Sequence, residues 1–164
     1  MLILIAVIIG FILFSFSFVL LFGAPFLPTL KQQVNEALNL LNLEPGQTML
    51  ELGCGDGRVL VAAAQRDLTV IGYELNPILA VIAWVRTRRY RSHVVVIWGD
   101  FWHASWPPAQ GIFGFILPRY MSKLNNKLVQ YPHKPIRVAS FAFAIPGKEP
   151  AKISKGIFLY EYIN

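Results

Sequence analysis

The heptapeptide ELGCGDG, residues 51–57, constrains the fold of this chain more than any other stretch. It lies between the apolar runs 48–50 and 59–64, and glycine occupies every second position from Gly53 to Gly57. Glycine lets the backbone turn tightly and leaves room for a ligand against the main chain. The loop therefore predicts a ligand site between a short strand and a helix.

The pattern along the chain alternates between segments of strand length and segments of helix length. An amphipathic helix at 29–42 precedes predicted strands at 48–52, 68–73, 93–98, 110–117, 136–144 and 156–162, and predicted helices at 58–66, 76–91 and 119–130. This alternation indicates an α/β fold with right-handed crossovers and a mainly parallel sheet. Ligands of such sheets bind beyond the carboxyl ends of the strands.

Acidic residues stand at three of these strand ends. Glu51 begins the glycine loop, Glu74 ends the second strand, and Asp100 follows the third. Glu74 can accept hydrogen bonds from both hydroxyls of a ribose, and Asp100 can accept one from an adenine amino group while Phe101 covers the ring. One such acid is most often a helix cap or a solvated loop residue, but three beside a glycine loop indicate a nucleoside ligand.

The spacing of the glycines argues against two common nucleotide sites. The dinucleotide fingerprint is G-x-G-x-x-G, and here Arg58 stands in place of its third glycine, which disfavours NAD. No Lys-Ser/Thr pair follows, so the loop is not a phosphate-binding P-loop. An acid at Glu51 suits a ligand with an ammonium group better than one with a pyrophosphate.

At these motifs the chain resembles the class I S-adenosylmethionine-dependent methyltransferases. ELGCGDG matches their E-x-G-x-G-x-G signature, GYELNP their second motif and WGDF their third, over residues 45–101. GYELNP, WGDFW, the pattern F-G-x-x-L-P-x-x-M-x-x-L at 113–124 and SFAFAIPGKEP further resemble the small membrane-anchored protein lysine methyltransferases. That family includes mitochondrial enzymes acting on the c-ring protein of ATP synthase and on adenine nucleotide translocase.

The resemblance implies a Rossmann-like methyltransferase domain with S-adenosylmethionine as its cofactor. By the same resemblance, the cofactor is bound by Glu51, Gly53, Gly55, Glu74 and Asp100. Cys54, Gly57 and Phe101, which lie within or beside the matched motifs, complete the predicted cofactor site. The resemblance assigns no catalytic residue.

The chain departs from the wider methyltransferase pattern in two places. The stretch GIFGFILP at 111–118 carries no acid or amide where many methyltransferases have one, which disfavours nucleobase or glutamine nitrogen as the methyl acceptor. We therefore expect no nucleic acid partner. The tail leaves little room for a helix between the last two strands, so we expect a trimmed sheet.

The first thirty residues carry no charged side chain. The run 2–22 is long enough to span a bilayer as a helix. A signal peptide usually begins with basic residues, and here no Lys or Arg precedes the run. Basic residues begin at Lys31, which favours a cytoplasmic domain by the positive-inside rule. We therefore predict a single-pass membrane protein, with residues 1–28 as anchor and linker and residues 29–164 as the methyltransferase domain.

Other side chains allow two interpretations each. Five aromatic residues either line an apolar pocket for a lysine nucleophile or pack in the core: Phe101, Trp102, Phe113, Phe115 and Tyr120. Four arginines either form a solvated helix end or contact anionic lipid headgroups: Arg86, Arg88, Arg89 and Arg91. The histidines show no metal-ligand spacing, so no metal site is predicted.

Three functions agree with these features. The first is methylation of a lysine in a small membrane protein, the second is methylation of a lipid or another small hydrophobic molecule, and the third is non-catalytic binding of S-adenosylmethionine. The apolar segment suits the first two equally, and the absent polar residue after the fourth strand keeps the third open.

Overall fold

A computed structural model describes residues 1–7, 9, 10, 13 and 27–163. The predicted membrane span at 2–22 lies for the most part outside the described residues. Among those that are described, no helix is both long enough and apolar enough to cross a membrane.

The regular elements follow one another in the predicted order, with one short further strand and two 3₁₀ turns that the sequence pattern does not predict. The helices are α1 (Lys31–Leu41), α2 (Arg58–Ala64), α3 (Pro77–Thr87) and α4 (Met121–Val129), with 3₁₀ turns at Arg88–Tyr90 and Pro118–Tyr120. The strands are β1 (Thr48–Leu52), β2 (Thr69–Glu74), β3 (Val94–Trp98), β4 (Gly111–Gly114), β5 (Ile136–Phe141), β6 (Lys152–Ser154) and β7 (Ile157–Tyr162).

The strands form one sheet in the order β3-β2-β1-β4-β5-β7-β6. The first five strands of this order are parallel, whereas β7 runs antiparallel to both β5 and β6. The chain proceeds outward from β1 to β3 and then returns to place β4 on the other side of β1. This reversal between β1 and β4 is the topological switch point at which such sheets bind ligands.

Helices and loops cover the two faces of the sheet with two apolar cores. On one face, α1, α2 and α3 bury residues that include Leu41, Leu60 and Ala83. On the other face, α4 and the segment 101–109 bury residues that include Leu124, Trp106 and Tyr160. Because β1 is covered on both faces, four of its five residues are buried, which explains its nearly continuous apolar sequence.

The expectation of a trimmed sheet is wrong, because the sheet has seven strands. The strand that the sequence pattern does not predict is β6, because a segment of three residues is too short to show a strand pattern. It joins β7 through a tight turn in which Lys155 and Gly156 have φ of 48° and 79°, so the last two strands need no helix between them. Residues 142–151 cross from β5 to β6 as a loop, and the Tyr160 hydroxyl accepts a hydrogen bond from Ile145 N at 2.8 Å.

Several element boundaries fall short of the predicted ones. The helix predicted to reach residue 91 ends at Thr87 and continues as the 3₁₀ turn. The strand predicted at 136–144 ends at Phe141, because Ala142 adopts a left-handed φ of 67° that a strand cannot continue. The strand predicted at 110–117 keeps only its first half, Gly111–Gly114.

Candidate functional site

A pocket opens at the carboxyl ends of β1, β2 and β4, beside the switch point. The glycine loop, the end of β2, the segment after β3 and the segment after β4 all contribute to its lining. Leu27, Pro28 and Thr29 also line it, from the segment that precedes α1. The domain boundary predicted after residue 28 stays a prediction, and the pocket draws on residues from both sides of it.

The glycine loop is held by the end of the neighbouring strand. The N–H groups of Gly53 and Cys54 both donate to the carbonyl of Tyr73, at 3.0 and 2.8 Å. Gly53 has a φ of 83°, which disfavours any side chain, and no atom lies within 4 Å of the place where a Cβ would be. The bare backbone at Gly53 is therefore open to a ligand, and the predicted contact with the cofactor there stays a prediction.

Two other residues of the predicted cofactor site, Gly57 and Cys54, are buried in the folded domain. Gly57 is not part of the pocket lining; a Cβ there would lie 3.0 Å from Cα and Cβ of Ala83, so its lack of a side chain lets α3 pack against the start of α2. Cys54 lines the pocket but is buried, and burial raises the pKa of its thiol above the usual range. A neutral buried thiol is a poor nucleophile.

Glu74 is fixed at the end of β2 by backbone donors. Its Oε2 accepts from Gly55 N at 2.8 Å and its Oε1 accepts from Asn76 N at 2.8 Å. Burial raises the pKa of the Glu74 carboxyl, while the backbone donors at Asn76 and Gly55 act in the opposite direction. Each oxygen can accept a further hydrogen bond, so the carboxylate is oriented and still able to bind a ligand.

Glu51 lies at the start of the glycine loop with an unsatisfied carboxyl group. Glu51 is almost fully buried, with 3 % of its surface exposed, and Oε2 has no hydrogen-bond partner among the residues that the structure describes. Burial raises the pKa of Glu51 well above its ordinary value of 4.5, and the nearby carboxylates of Glu74 and Asp56 raise it further. A buried polar group without a partner is costly, so this oxygen is positioned for a donor or a cation that the described residues do not supply.

A third buried acid, Asp56, has partners that the sequence pattern does not reveal. Its carboxylate forms ion pairs with Arg58, at 2.8 Å, and with Arg86 of α3. Burial alone would raise the pKa of Asp56, but the hydrogen bonds and charges of the two arginines lower it. Arg58 also donates to the carbonyl of Thr29 at 3.3 Å, which holds the segment before α1 beside the pocket. The sequence signal for this network is Arg58 itself, at a position where dinucleotide sites have glycine.

Asp100 and Phe101 both line the pocket. The Asp100 carboxylate accepts from Trp102 N at 2.8 Å and contacts His103 Nδ1 at 2.8 Å, so it orders its own loop. The Phe101 carbonyl accepts from the Trp106 indole at 2.9 Å. The predicted contacts of Asp100 and Phe101 with an adenine stay predictions.

The five aromatic residues with two open interpretations all line the pocket: Phe101, Trp102, Phe113, Phe115 and Tyr120. Their rings contact one another, with centroids 4.6 Å apart for Phe101 and Trp102 and 5.9 Å apart for Trp102 and Tyr120. Phe113 is also buried in one core, and Phe101, Trp102 and Tyr120 pack against the other. That the pocket receives a lysine stays a prediction. The buried acids Glu51, Asp56 and Glu74 therefore make up one part of the pocket lining, its acidic side, and the five aromatic residues make up another, its aromatic side.

The chain matches the family model described as the ANTKMT methyltransferase domain, over residues 51–152. It is 33% identical over 132 residues to the adenine nucleotide translocase lysine N-methyltransferase of Mus musculus, covering 79% of this chain and 57% of that protein. It is 27% identical over 136 residues to a protein-lysine N-methyltransferase of Saccharolobus islandicus, covering 80% of this chain and 84% of that one. The chain thus spans little more than half the length of the mouse relative.

A solved structure shares the fold closely. The RNA methyltransferase from Salinibacter ruber, in complex with S-adenosyl-L-homocysteine, superposes with a TM-score of 0.75 and 25% sequence identity. The alignment covers 83% of this chain and 92% of that one. The predicted Rossmann-like methyltransferase sheet is thereby confirmed.

The raised pKa of Glu51 predicts how stability depends on pH. The folded protein keeps the Glu51 proton to a higher pH than the unfolded chain does. The contribution of Glu51 to the free energy of unfolding is therefore full below the pKa of Glu51 in the unfolded chain, and it is lost as the pH rises through the pKa of Glu51 in the folded protein. Over that interval the free energy of unfolding should fall by up to about 1.4 kcal/mol per pH unit. Glu51→Gln carries no titrating proton and should remove this fall.

Urea unfolding of the ligand-free full chain in detergent, followed from mildly acidic to alkaline pH, measures the difference. The matched control is Glu44→Gln, which changes an exposed carboxyl group. Glu51→Gln should become the more stable protein as the pH rises, whereas Glu44→Gln should follow the wild type. If the free energies of unfolding of the wild type and Glu51→Gln change with pH in parallel, Glu51 does not have the raised pKa.

Proposed function

This chain belongs to the ANTKMT methyltransferase domain family, and from that premise we propose that it is an S-adenosylmethionine-dependent methyltransferase that acts on a lysine of a membrane protein. The observation that carries the proposal is the match of the family model to residues 51–152, which include the acidic side of the pocket. The names of the mouse and archaeal relatives, both lysine N-methyltransferases, support lysine as the acceptor.

The residues of the pocket fit the proposed cofactor. Glu51 Oε2 is a buried acceptor without a partner, and the ammonium group of S-adenosylmethionine is the kind of cation that would satisfy it. Gly53 offers bare backbone, and Glu74 presents an oriented carboxylate that ribose hydroxyls could reach. When bound, the cofactor supplies a methyl group on a sulfonium, which a neutral amine can accept.

The aromatic side of the pocket suits a lysine acceptor. A lysine must lose its proton before it can accept a methyl group, and an apolar environment lowers its pKa by disfavouring the charged form. The rings of Phe101, Trp102 and Tyr120 would provide that environment and exclude water from the reacting groups. The chain's contribution in this proposal is alignment and desolvation, and no side chain is assigned as a base.

We further propose that residues 2–22 anchor the protein as a single membrane span with the domain on the cytoplasmic side. The uncharged apolar sequence and the basic residues from Lys31 onward support this arrangement. An anchor would concentrate the enzyme at a membrane-embedded substrate. Cell fractionation and protease protection of the full chain test the proposal: extraction without detergent, or a domain exposed on the outer surface, would contradict it.

The acceptor can be identified from the methylation that disappears with the protein. We expect cells lacking this protein to lose a methyl-lysine on a membrane protein, as measured by mass spectrometry of membrane fractions. Wild-type protein and the surface control Glu44→Gln should restore the modification, whereas Glu51→Gln should not, because it loses the charge that would bind the ammonium group. Each variant must reach comparable abundance in the membrane fraction.

The same comparison separates the alternatives. Loss of a methylated lipid, with every methyl-lysine retained, would replace the protein substrate by a lipid or small hydrophobic molecule. No difference in methylation between the two membrane fractions would favour a non-catalytic module that binds S-adenosylmethionine.

A further inference from the structure

One helix of the domain exposes its apolar side chains to solvent. In α3, residues such as Leu79 and Ala83 are buried against the sheet, whereas the opposite side of the helix presents Val81, Ile82, Trp84 and Val85. Trp84 is 65 % exposed and Val81 is 61 % exposed. These four residues form what we term the apolar α3 face. Single exposed apolar residues are ordinary, but four on one helix face indicate a surface that is covered in function.

The apolar α3 face lies at the edge of the sheet. α3 packs against β3, which is the terminal strand in the sheet order and, among the described strands, pairs with β2 alone. Trp98, at the end of β3, is 68 % exposed, and its indole donates to the carbonyl of Leu75 at 3.1 Å. Leu75 lines the pocket, so Trp98 lies beside the pocket.

Arginines follow the apolar α3 face directly along the chain. Arg88, Arg89 and Arg91 are exposed, and within the part of the chain that the structure describes none of them forms an ion pair. Residues 75–99 contain four arginines and no Asp or Glu. The fourth, Arg86, is paired with Asp56. The surface around α3 therefore combines exposed tryptophans, aliphatic side chains and unneutralised positive charge.

We propose that the apolar α3 face, with Trp98 and the three unpaired arginines, docks on the surface of a bilayer that contains anionic lipids. Tryptophan is enriched where membranes meet water, and guanidinium groups bind lipid phosphates while their apolar neighbours enter the interface. A protein partner of opposite charge would also match the arginines, but the uncharged apolar run 2–22 of the same chain favours a bilayer as the occupant. The docking places the pocket beside the membrane. The benefit of that position for a membrane-embedded substrate rests on the proposed function, whereas the docking itself does not.

The chain allows a direct test, because its single cysteine, Cys54, is buried and should escape labelling in the folded protein. An environment-sensitive fluorophore is placed on Val85→Cys, and on Asn126→Cys as the control. Asn126 is exposed on α4, which covers the opposite face of the sheet. Each labelled full chain is reconstituted into vesicles of phosphatidylcholine alone or mixed with phosphatidylglycerol, with and without a spin-labelled lipid that quenches fluorescence on contact.

The expected result is a loss of fluorescence from the Val85 label in vesicles with phosphatidylglycerol, a smaller loss without it, and little loss from the Asn126 label. Replacing Arg88, Arg89 and Arg91 together by glutamine should reduce the loss at Val85. Equal quenching at the two positions would overturn the proposal. So would a Val85 label that is already shielded in detergent, which would indicate that a second copy or another part of the chain covers the face. No cofactor or substrate is present, so failure of the proposed function leaves this result unchanged.

Discussion

The arrangement of the pocket depends on three carboxyl groups buried close together around the glycine loop. Each needs a compensating interaction, because burying a charge without a partner costs far more than a typical hydrogen bond returns. Asp56 is neutralised by Arg58 and Arg86, and Glu74 is held by two backbone N–H groups. Of the three, only Glu51 has an oxygen left without a partner. The acidic side of the pocket is therefore complete except for a cation, and the cofactor we propose would bring one.

The same interactions connect the pocket to the rest of the molecule. The pair between Asp56 and Arg86 joins the glycine loop to α3, and the bond from Arg58 to Thr29 joins it to the segment before α1. α3 also carries the exposed apolar face, and the segment before α1 follows the uncharged N-terminal run. α3 and the segment that follows the proposed anchor thus both contact the loop beside the proposed cofactor, which would let the membrane position the pocket.

The sequence predicts those features of the fold and the site that depend on a local pattern of residues. Both ends of strand β1 are predicted correctly, because a turn precedes it and the glycine loop ends it, and Glu74 lies at the end of β2 where a ligand-binding acid is expected. What the sequence does not predict depends on contacts between distant residues or on very short elements. Asp56 pairs with Arg86 of another helix, the packing role of Gly57 depends on Ala83, and β6 has three residues. The span at 2–22 falls largely outside the described residues.

The central claim is that Glu51 is held ready for a cation, and the protons released on binding test it most directly. Calorimetric titration of S-adenosylmethionine into the full chain, in buffers of different ionisation enthalpy, counts those protons. At a pH where ligand-free Glu51 is protonated, the wild type should release up to about one proton more than Glu51→Gln, because an ammonium group beside Glu51 favours its ionised form. Equal proton release by the two proteins, with equal affinity for the cofactor, would contradict the account.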